Sequence, residues 1–170
     1  MHNHVKAFTL KSSTGILNVL QTPIGICIPQ GLICTDVSAI WDTGASGCAI
    51  TTKVVAALSL TPTGKVQVST ANGIVFQNTY TIDVRLPNSV IIVGIIATEV
   101  PGLAGGCDAL IGMDIITLGD FSITNHNGNT CMSFRVPSSH EIDYVKNPTY
   151  GTTTIKKGGT NITQSKKKRK

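Results

Sequence analysis

Residues 39–46 read Ala39-Ile40-Trp41-Asp42-Thr43-Gly44-Ala45-Ser46, and this stretch decides the fold. Its first three residues are apolar and predict the end of a buried strand. Asp42 follows, then a hydroxyl, then a glycine, the residue that takes a positive φ most easily. Such a loop aims one carboxylate into a cleft, where it can exchange protons. No second Asp-Thr-Gly or Asp-Ser-Gly occurs in the 170 residues, so a site with two such carboxylates needs two copies of the chain.

The composition favours one β-rich domain. Hydrophobic residues make up 41% of the chain and charged residues 14%, with a mean hydropathy of +0.20, which is enough apolar surface to bury a sizeable core. Val, Ile and Thr recur in short bursts separated by Gly, Pro and Asn, a pattern typical of β-strands joined by turns. We therefore expect a globular domain at 1–145 and a flexible basic tail at 146–170.

The net charge of +5 comes from the end of the chain. Residues 166–170 are Lys-Lys-Lys-Arg-Lys and carry a charge equal to the whole net charge, so the remainder is formally neutral. The domain itself therefore gives no electrostatic indication of a nucleic-acid partner. The tail leaves two readings open, a solvated end or a contact with nucleic acid.

The cysteine pattern and the apolar runs bear on localisation. Five cysteines form no CxxC pair and are odd in number, so we expect buried free thiols in a reducing compartment. The first ten residues lack the continuous apolar run of a secretory leader. The longest apolar stretch, 90–97, is interrupted by Gly94 and falls short of the roughly 20 residues of a membrane span. These features predict a cytoplasmic protein that does not contact a membrane.

The order of strand-like and turn-like segments can be predicted along the chain. Strands are expected at 6–10, 16–20, 25–29 and 34–40, with turns at 12–15, 22–23 and 30–31. A short helix is expected from Thr51 or Thr52 to Leu58. Asn72-Gly73 between two extended runs predicts a hairpin of 66–70 with 74–76. Further extended segments are expected at 80–86, 90–100 and 109–112, then one or two helical turns at 113–118 and a last hairpin of 121–124 with 131–136.

Three motifs in this order carry a family resemblance. They are Ile40 to Ser46, the Asn72-Gly73 hairpin about thirty residues later, and Leu110-Ile111-Gly112. Together they resemble the retropepsin-like aspartic peptidases over roughly residues 5 to 137, most closely the bacterial or phage-type members, judged from 110–114 and 119–125. The resemblance implies an all-β, closed barrel-like subunit with one or two short helices, active as a two-fold homodimer. It implies an endopeptidase that hydrolyses extended polypeptide.

The resemblance also implies roles for individual residues. Asp42 would be the catalytic carboxylate, facing the same residue of a second subunit, with Thr43 and Gly44 completing the catalytic loop. Thr43 would bond to the opposing loop, and Ser46 would brace its own loop from behind. The hairpin would be a flap over the substrate, and 110–112 would pack beneath the loop. The residues expected to contact substrate are Ala45, Ser46, Thr70, Ala71, Asn72, Gly73 and Ile74.

Two departures from the viral members of this family leave an alternative open. Met113 stands where those enzymes carry an arginine that braces the loop, and the flap has a single glycine. The alternative is a non-catalytic dimeric binding or scaffold module whose basic tail contacts nucleic acid. No cofactor or metal ion is expected, because the four histidines are dispersed. The remaining aspartates are expected to be caps, turn formers or surface charges: Asp36, Asp83, Asp108, Asp114, Asp120 and Asp143.

Overall fold

The computed structural model describes residues 5–31, 33–70 and 73–146. The chain divides into two units, Met1–Ser139 and His140–Lys170. In the second unit, the described residues 140–146 form neither helix nor strand. Within this unit, the Lys146 ammonium forms salt bridges with the Glu141 and Asp143 carboxylates. Most of the predicted tail, 147–170, lies outside the described residues, so its flexibility and its partners stay predictions.

Strands dominate the first unit. They are β1 Lys6–Lys11, β2 Gln21–Cys27, β3 Cys34–Trp41, β4 Ala49–Thr51, β5 Gly64–Thr70, β6 Gly73–Arg85, β7 Ile91–Val100, β8 Ala109–Ile111, β9 Asp120–Thr124 and β10 Cys131–Val136. Two short helices, α1 Thr52–Ala57 and α2 Met113–Ile116, interrupt them, and single 3₁₀ turns lie at Ala104–Gly106 and His126–Gly128. This mostly β architecture with two short helices confirms the predicted fold class of the subunit.

Six of the strands close into a barrel. Their hydrogen-bonded order is β2-β3-β8-β4-β7-β6, and β6 pairs back with β2 through Gly25–Cys27. β5 extends the sheet beyond β6. Alternate residues of the strands point inward, as the two-residue period requires. The fully buried side chains inside include Ile26, Ile50, Ile82, Val84 and Ile111. The closed ring leaves few sheet edges unpaired and gives β3 and β8 a fixed frame.

A second sheet of three strands, in the order β1-β10-β9, packs against the end of β3. The contact is aromatic: the Trp41 ring lies 5.8 Å from that of Phe8, 5.7 Å from Phe121 and 5.1 Å from Phe134 between centroids. Trp41 is 5% exposed. Aromatic rings at these separations bury a large apolar area and fix their mutual orientation. The residue before Asp42 is therefore held rigidly from the side of the second sheet.

Two expectations about the N-terminal part are wrong. Residues 16–20 form no strand, because their neighbourhood is anchored by side chains: Leu17 donates its N–H to the Thr130 hydroxyl and Gly15 donates to the Asn129 amide oxygen. The expected turn at 22–23 lies inside β2 instead. Proline is tolerated there because β6 pairs only with residues 25–27 of β2, so Pro23 has a strand neighbour on the β3 side alone.

The later elements agree more closely with the sequence. The helix at α1 is confirmed, although the Thr51 hydroxyl donates to Asp108 rather than capping the helix. The hairpin of β5 and β6 is confirmed by the pairing of Thr70 with Gly73. The segments expected at 74–76 and 80–86 are one continuous strand, β6, which serves both β5 and β7. The last hairpin and the turn at α2 are also confirmed.

The expectation that all five cysteines are free thiols is wrong. Cys27 and Cys34 lie opposite each other in the β2–β3 hairpin and form a disulfide. Their Cα atoms are 4.0 Å apart, because register pairing across the hairpin brings them together. Free cysteines in the described residues are Cys48, Cys107 and Cys131. The argument from free thiols to a reducing compartment therefore fails for this pair.

Candidate active site

Asp42 leaves the barrel where two parallel strands end side by side. Trp41, the last residue of β3, is in register with Ile111, the last residue of β8. The Asp42 N–H continues the pairing and donates to the Ile111 carbonyl at 3.0 Å. Asp42 is half-buried. The end of a closed, packed sheet thus presents a single carboxylate on a backbone that is fixed by the barrel.

The Asp42 side chain is held by its own loop. Its Oδ1 accepts the Gly44 N–H at 2.8 Å, and its backbone carbonyl accepts the Ala45 N–H at 3.3 Å. Gly44 does not adopt a positive φ, so the conformational reason expected for this glycine is wrong. The reason is proximity: a Cβ on Gly44 would lie 3.1 Å from Asp42 Oδ1. The Gly44 N–H is thus occupied by its own loop, through Asp42.

Residues 110–112 were expected to pack beneath the loop, and Gly112 does lie against it, together with the segment that follows. Met113 donates its N–H to the Ala45 carbonyl at 2.8 Å, and Asp114 donates its N–H to the Ser46 carbonyl at 3.2 Å. A Cβ on Gly112 would come within 2.5 Å of the Gly47 backbone. Glycine at 112 is therefore required by the close approach of the two segments.

Asp114 is a member of the site that the sequence analysis missed. It was expected to be a cap, turn former or surface charge, yet its carboxylate reaches the far end of the Asp42 loop. Oδ2 accepts the Cys48 N–H at 3.0 Å, and Oδ1 accepts the Cys48 thiol at 3.1 Å and the Ile115 N–H at 3.0 Å. Burial raises the pKa of the Cys48 thiol well above its ordinary value, and the neighbouring Asp114 adds to this, so the thiol is a donor. The sequence offered one signal for this role: Asp114 is an acidic residue two positions after Gly112.

The other predicted loop residues differ in exposure. Thr43 and Ser46 are exposed and Ala45 is half-buried. Ser46, expected to brace its own loop, is bonded through its carbonyl, which accepts the Asp114 N–H. The Thr43 hydroxyl makes no hydrogen bond within the described part of the chain. A hydroxyl directed outward beside the carboxylate is free to bond to another molecule.

The hairpin residues form a separate strand pair. Thr70 ends β5 and Gly73, with φ of +114°, begins β6. Ile74 is 62% exposed and Phe76 is 71% exposed. Ala71 and Asn72, predicted to contact substrate, lie outside the described residues. The structure thus brings Asp42–Ser46 together with Ile111–Asp114, and it leaves the contribution of the hairpin a prediction.

A groove of about 310 Å³ opens beside the carboxylate. Its walls include Asp42 and Thr43 together with the apolar residues Val19, Leu20 and Ile123. The groove therefore presents an acid–base group beside an apolar wall.

Among the described residues, no group of three or more His, Cys, Asp or Glu is placed to hold a metal ion. No helix in the described segments is long and apolar enough to cross a bilayer.

Comparison with known proteins identifies the family of this chain. A family model described as aspartyl protease matches residues 30–115, half of the chain, and this span holds both Asp42 and Asp114. Eighteen chains of solved structures match. One is a retropepsin-like aspartic protease from Rickettsia conorii, with 13% identity, a TM-score of 0.46, and coverage of 78% of this chain and 95% of that one. No curated protein sequence matches. The family match confirms the aspartic peptidase family inferred from the sequence: the chain belongs to the aspartyl protease family.

Proposed function

We propose that the chain is an aspartic endopeptidase that acts as a two-fold homodimer on extended polypeptide. The observation that carries the proposal is the placement of Asp42, a single half-buried carboxylate on a loop fixed by the ends of β3 and β8. The family match supports protease chemistry in general. The homodimer follows from chemistry, because the sequence holds one such loop and the reaction needs an acid and a base together.

In the proposed dimer, Asp42 faces its counterpart across a two-fold axis. Two carboxylates within hydrogen-bond reach cannot both ionise cheaply, so the pair shares one proton. The ionised member accepts a proton from water, and the oxygen of that water attacks the scissile carbonyl carbon. The protonated member donates its proton to the carbonyl oxygen. As the C–N bond breaks, the first member passes the proton it took from water to the leaving amine, and a hydroxyl of the intermediate returns a proton to the second member. No covalent intermediate on the enzyme is required.

The surroundings of Asp42 suit this chemistry. The bond from Gly44 fixes Oδ1, so the carboxylate does not rotate freely when a substrate approaches. The exposed Thr43 hydroxyl is available to the partner's loop, and the groove beside it offers an apolar wall to a substrate side chain. Thr43 and Gly44 would complete the catalytic loop, with Ala45 and Ser46 lining the substrate path.

The β5–β6 hairpin is proposed as the flap. Thr70, Gly73 and Ile74, with the tip residues Ala71 and Asn72, would cover a bound peptide and exclude bulk water. A peptide in extended form can add a strand beside such a hairpin through main-chain hydrogen bonds. The exposed Ile74 and Phe76 give this hairpin apolar contact surface.

The test is digestion of a library of unstructured decapeptides between pH 4 and 7 with the full chain. We expect cleavage by the wild type and none by Asp42→Asn. The matched control is Asp36→Asn, an exposed carboxylate on the same strand that pairs with Arg85, which should cleave like the wild type. No cleavage by any form would favour the alternative of a non-catalytic binding module, and cleavage that survives Asp42→Asn would contradict the catalytic role of Asp42.

A further inference from the structure

We propose that Asp114 is the positioning residue of the active-site loop: its carboxylate holds the far end of the loop at Cys48 and so fixes the direction of Asp42. This inference deepens the proposed function and rests on it for its kinetic consequence. Asp114 does not touch the reacting atoms. It acts on the loop that carries the reacting carboxylate.

The first step in the argument is that both ends of the loop are held by one short segment. At the near end, the Asp42 N–H donates to the Ile111 carbonyl. At the far end, the Asp114 carboxylate accepts both the N–H and the thiol of Cys48. The residues between these ends are bonded at Ala45 and Ser46 to the backbone of 113 and 114. The segment 111–114 therefore works as a clamp along the whole loop.

The second step concerns the charge of the clamp. The Asp114 carboxylate meets three donors, two from Cys48 and one from Ile115. An ionised carboxylate has four lone-pair sites and no donor, so it can satisfy all three. An amide in its place offers one acceptor oxygen and turns an NH₂ group toward the remaining donors. Hydrogen bonds to an ionised carboxylate are also stronger than hydrogen bonds to a neutral amide. This geometry therefore requires aspartate at position 114.

The third step is that the thiol is suited to be a donor. Cys48 is 3% exposed, and burial keeps it protonated by raising its pKa. The thiol therefore donates to the carboxylate of the clamp, at 3.1 Å. The loop approaches the clamp closely at Gly47, because a Cβ on Gly112 would lie 2.9 Å from the Gly47 Cα.

The clamp also explains how the loop is held without the arginine of the viral pattern. Met113 contributes only its backbone N–H, to Ala45. The next residue supplies the side chain that reaches across the loop. The bracing group is thus an acceptor for loop N–H and S–H groups rather than a cation.

The kinetic test compares Asp114→Ala and Asp114→Asn with the wild type on the best-cleaved decapeptide of the library. Because a displacement of about 1 Å in a catalytic group costs about 100-fold, we expect kcat of Asp114→Ala to fall about 100-fold with little change in KM. Asp114→Asn keeps one acceptor and should lose less. Cys48→Ser keeps a side-chain donor and should retain most of the wild-type kcat.

The control is Asp108→Ala, which removes another hydrogen-bonded carboxylate next to β8. Asp108 accepts from the Thr51 hydroxyl and pairs with Lys53, away from the loop. It should lower the melting temperature but leave kcat unchanged. A purely structural role for Asp114 predicts the same behaviour for Asp114→Ala, and that result would overturn the proposal. If Asp114→Ala does not fold, the kcat of the isosteric Asp114→Asn decides: a wild-type value overturns the proposal.

A second readout does not depend on cleavage. Hydrogen exchange of the full-length chain should show faster exchange in the Gly44–Cys48 amides of Asp114→Asn than in the wild type, and no such change in Asp108→Ala. If the wild type is active and kcat is unchanged in both Asp114 variants, the clamp is rejected and the proposed function stands. If the wild type is inactive but the loop amides exchange faster in Asp114→Asn, the proposed function is rejected and the clamp is supported. If loop exchange is unchanged in Asp114→Asn, the clamp is rejected whether or not the wild type is active.

Discussion

The indole Nε1 of Trp41 donates a hydrogen bond to the Thr22 hydroxyl at 2.8 Å. Both residues are buried, Trp41 at 5% exposed and Thr22 at 3%. The bond joins β2 to the residue directly before Asp42, and β2 and β8 pair with the two opposite edges of β3. The carboxylate is thus supported by a fixed strand end, and the support can be tested apart from the chemistry.

Removing one partner of this bond should destabilise the protein. Thr22→Val leaves the indole N–H buried without an acceptor, which costs about 1–3 kcal/mol. In a double-mutant cycle with Trp41→Phe, the two changes together should cost less than the sum of the single changes, because the stranded donor is then absent. The free energies of unfolding come from urea titrations. Strict additivity would mean that the bond contributes nothing.

Gly44→Ala should reduce turnover without unfolding the protein. The new Cβ would lie 3.1 Å from Asp42 Oδ1, so the carboxylate must shift by a few tenths of an ångström, and we expect kcat to fall at least about 10-fold. The control is Gly102→Ala, at a position with open space around it, which should behave like the wild type. Equal kcat values for the two variants would show that the carboxylate tolerates the shift.

Asp120 should contribute stability that is lost in acid. Hydrogen bonds from the Ser138 hydroxyl and the Ser139 N–H, and then from Arg135, hold the pKa of the Asp120 carboxyl well below its ordinary value. A carboxyl whose pKa is lower in the folded state stabilises the fold above its ordinary pKa and ceases to do so as the pH falls through the folded-state value. Asp120→Asn should therefore be less stable than the wild type at pH 7, and the difference should shrink progressively as the pH falls below about 4. A constant difference from pH 7 to pH 2 would contradict this assignment.

The Cys27–Cys34 disulfide can be tested by counting the free thiols of the chain. Alkylation of the unfolded chain without reductant should label the three free cysteines, Cys48, Cys107 and Cys131, and two more after reduction, as read by mass spectrometry. Replacing both bonded cysteines by serine should lower the free energy of unfolding by about 2 kcal/mol, because the unfolded chain loses a short loop constraint. Complete labelling before reduction would show that the thiols are free.

The sequence predicted the elements that depend on neighbouring residues. The loop from Asp42 to Ser46 follows an apolar strand, and the hairpin at Thr70 and Gly73 follows from local turn chemistry, so both could be placed from short stretches. The family of the chain followed from the order of these motifs along the sequence.

What the sequence did not predict depends on distant contacts. Asp114 and Cys48 are 66 positions apart, and no local pattern joins them. The failed strand at 16–20 has the same cause, because Leu17 is held by Thr130, 113 positions away. The free-thiol expectation failed because it considered the number of cysteines and not the hairpin register that brings Cys27 opposite Cys34.

The central claim is that the Asp42 carboxylate of one chain is catalytic only together with the Asp42 carboxylate of a second chain. Mixing wild-type and variant chains tests this claim most directly. Wild-type and Asp42→Asn chains are unfolded together in varied proportions, refolded, and assayed on one cleaved decapeptide. If each site needs two intact carboxylates, random pairing of equal amounts leaves about one quarter of the dimers intact, so activity per total chain should fall to about one quarter and follow the square of the wild-type fraction. Activity that falls in simple proportion to that fraction would contradict the shared site.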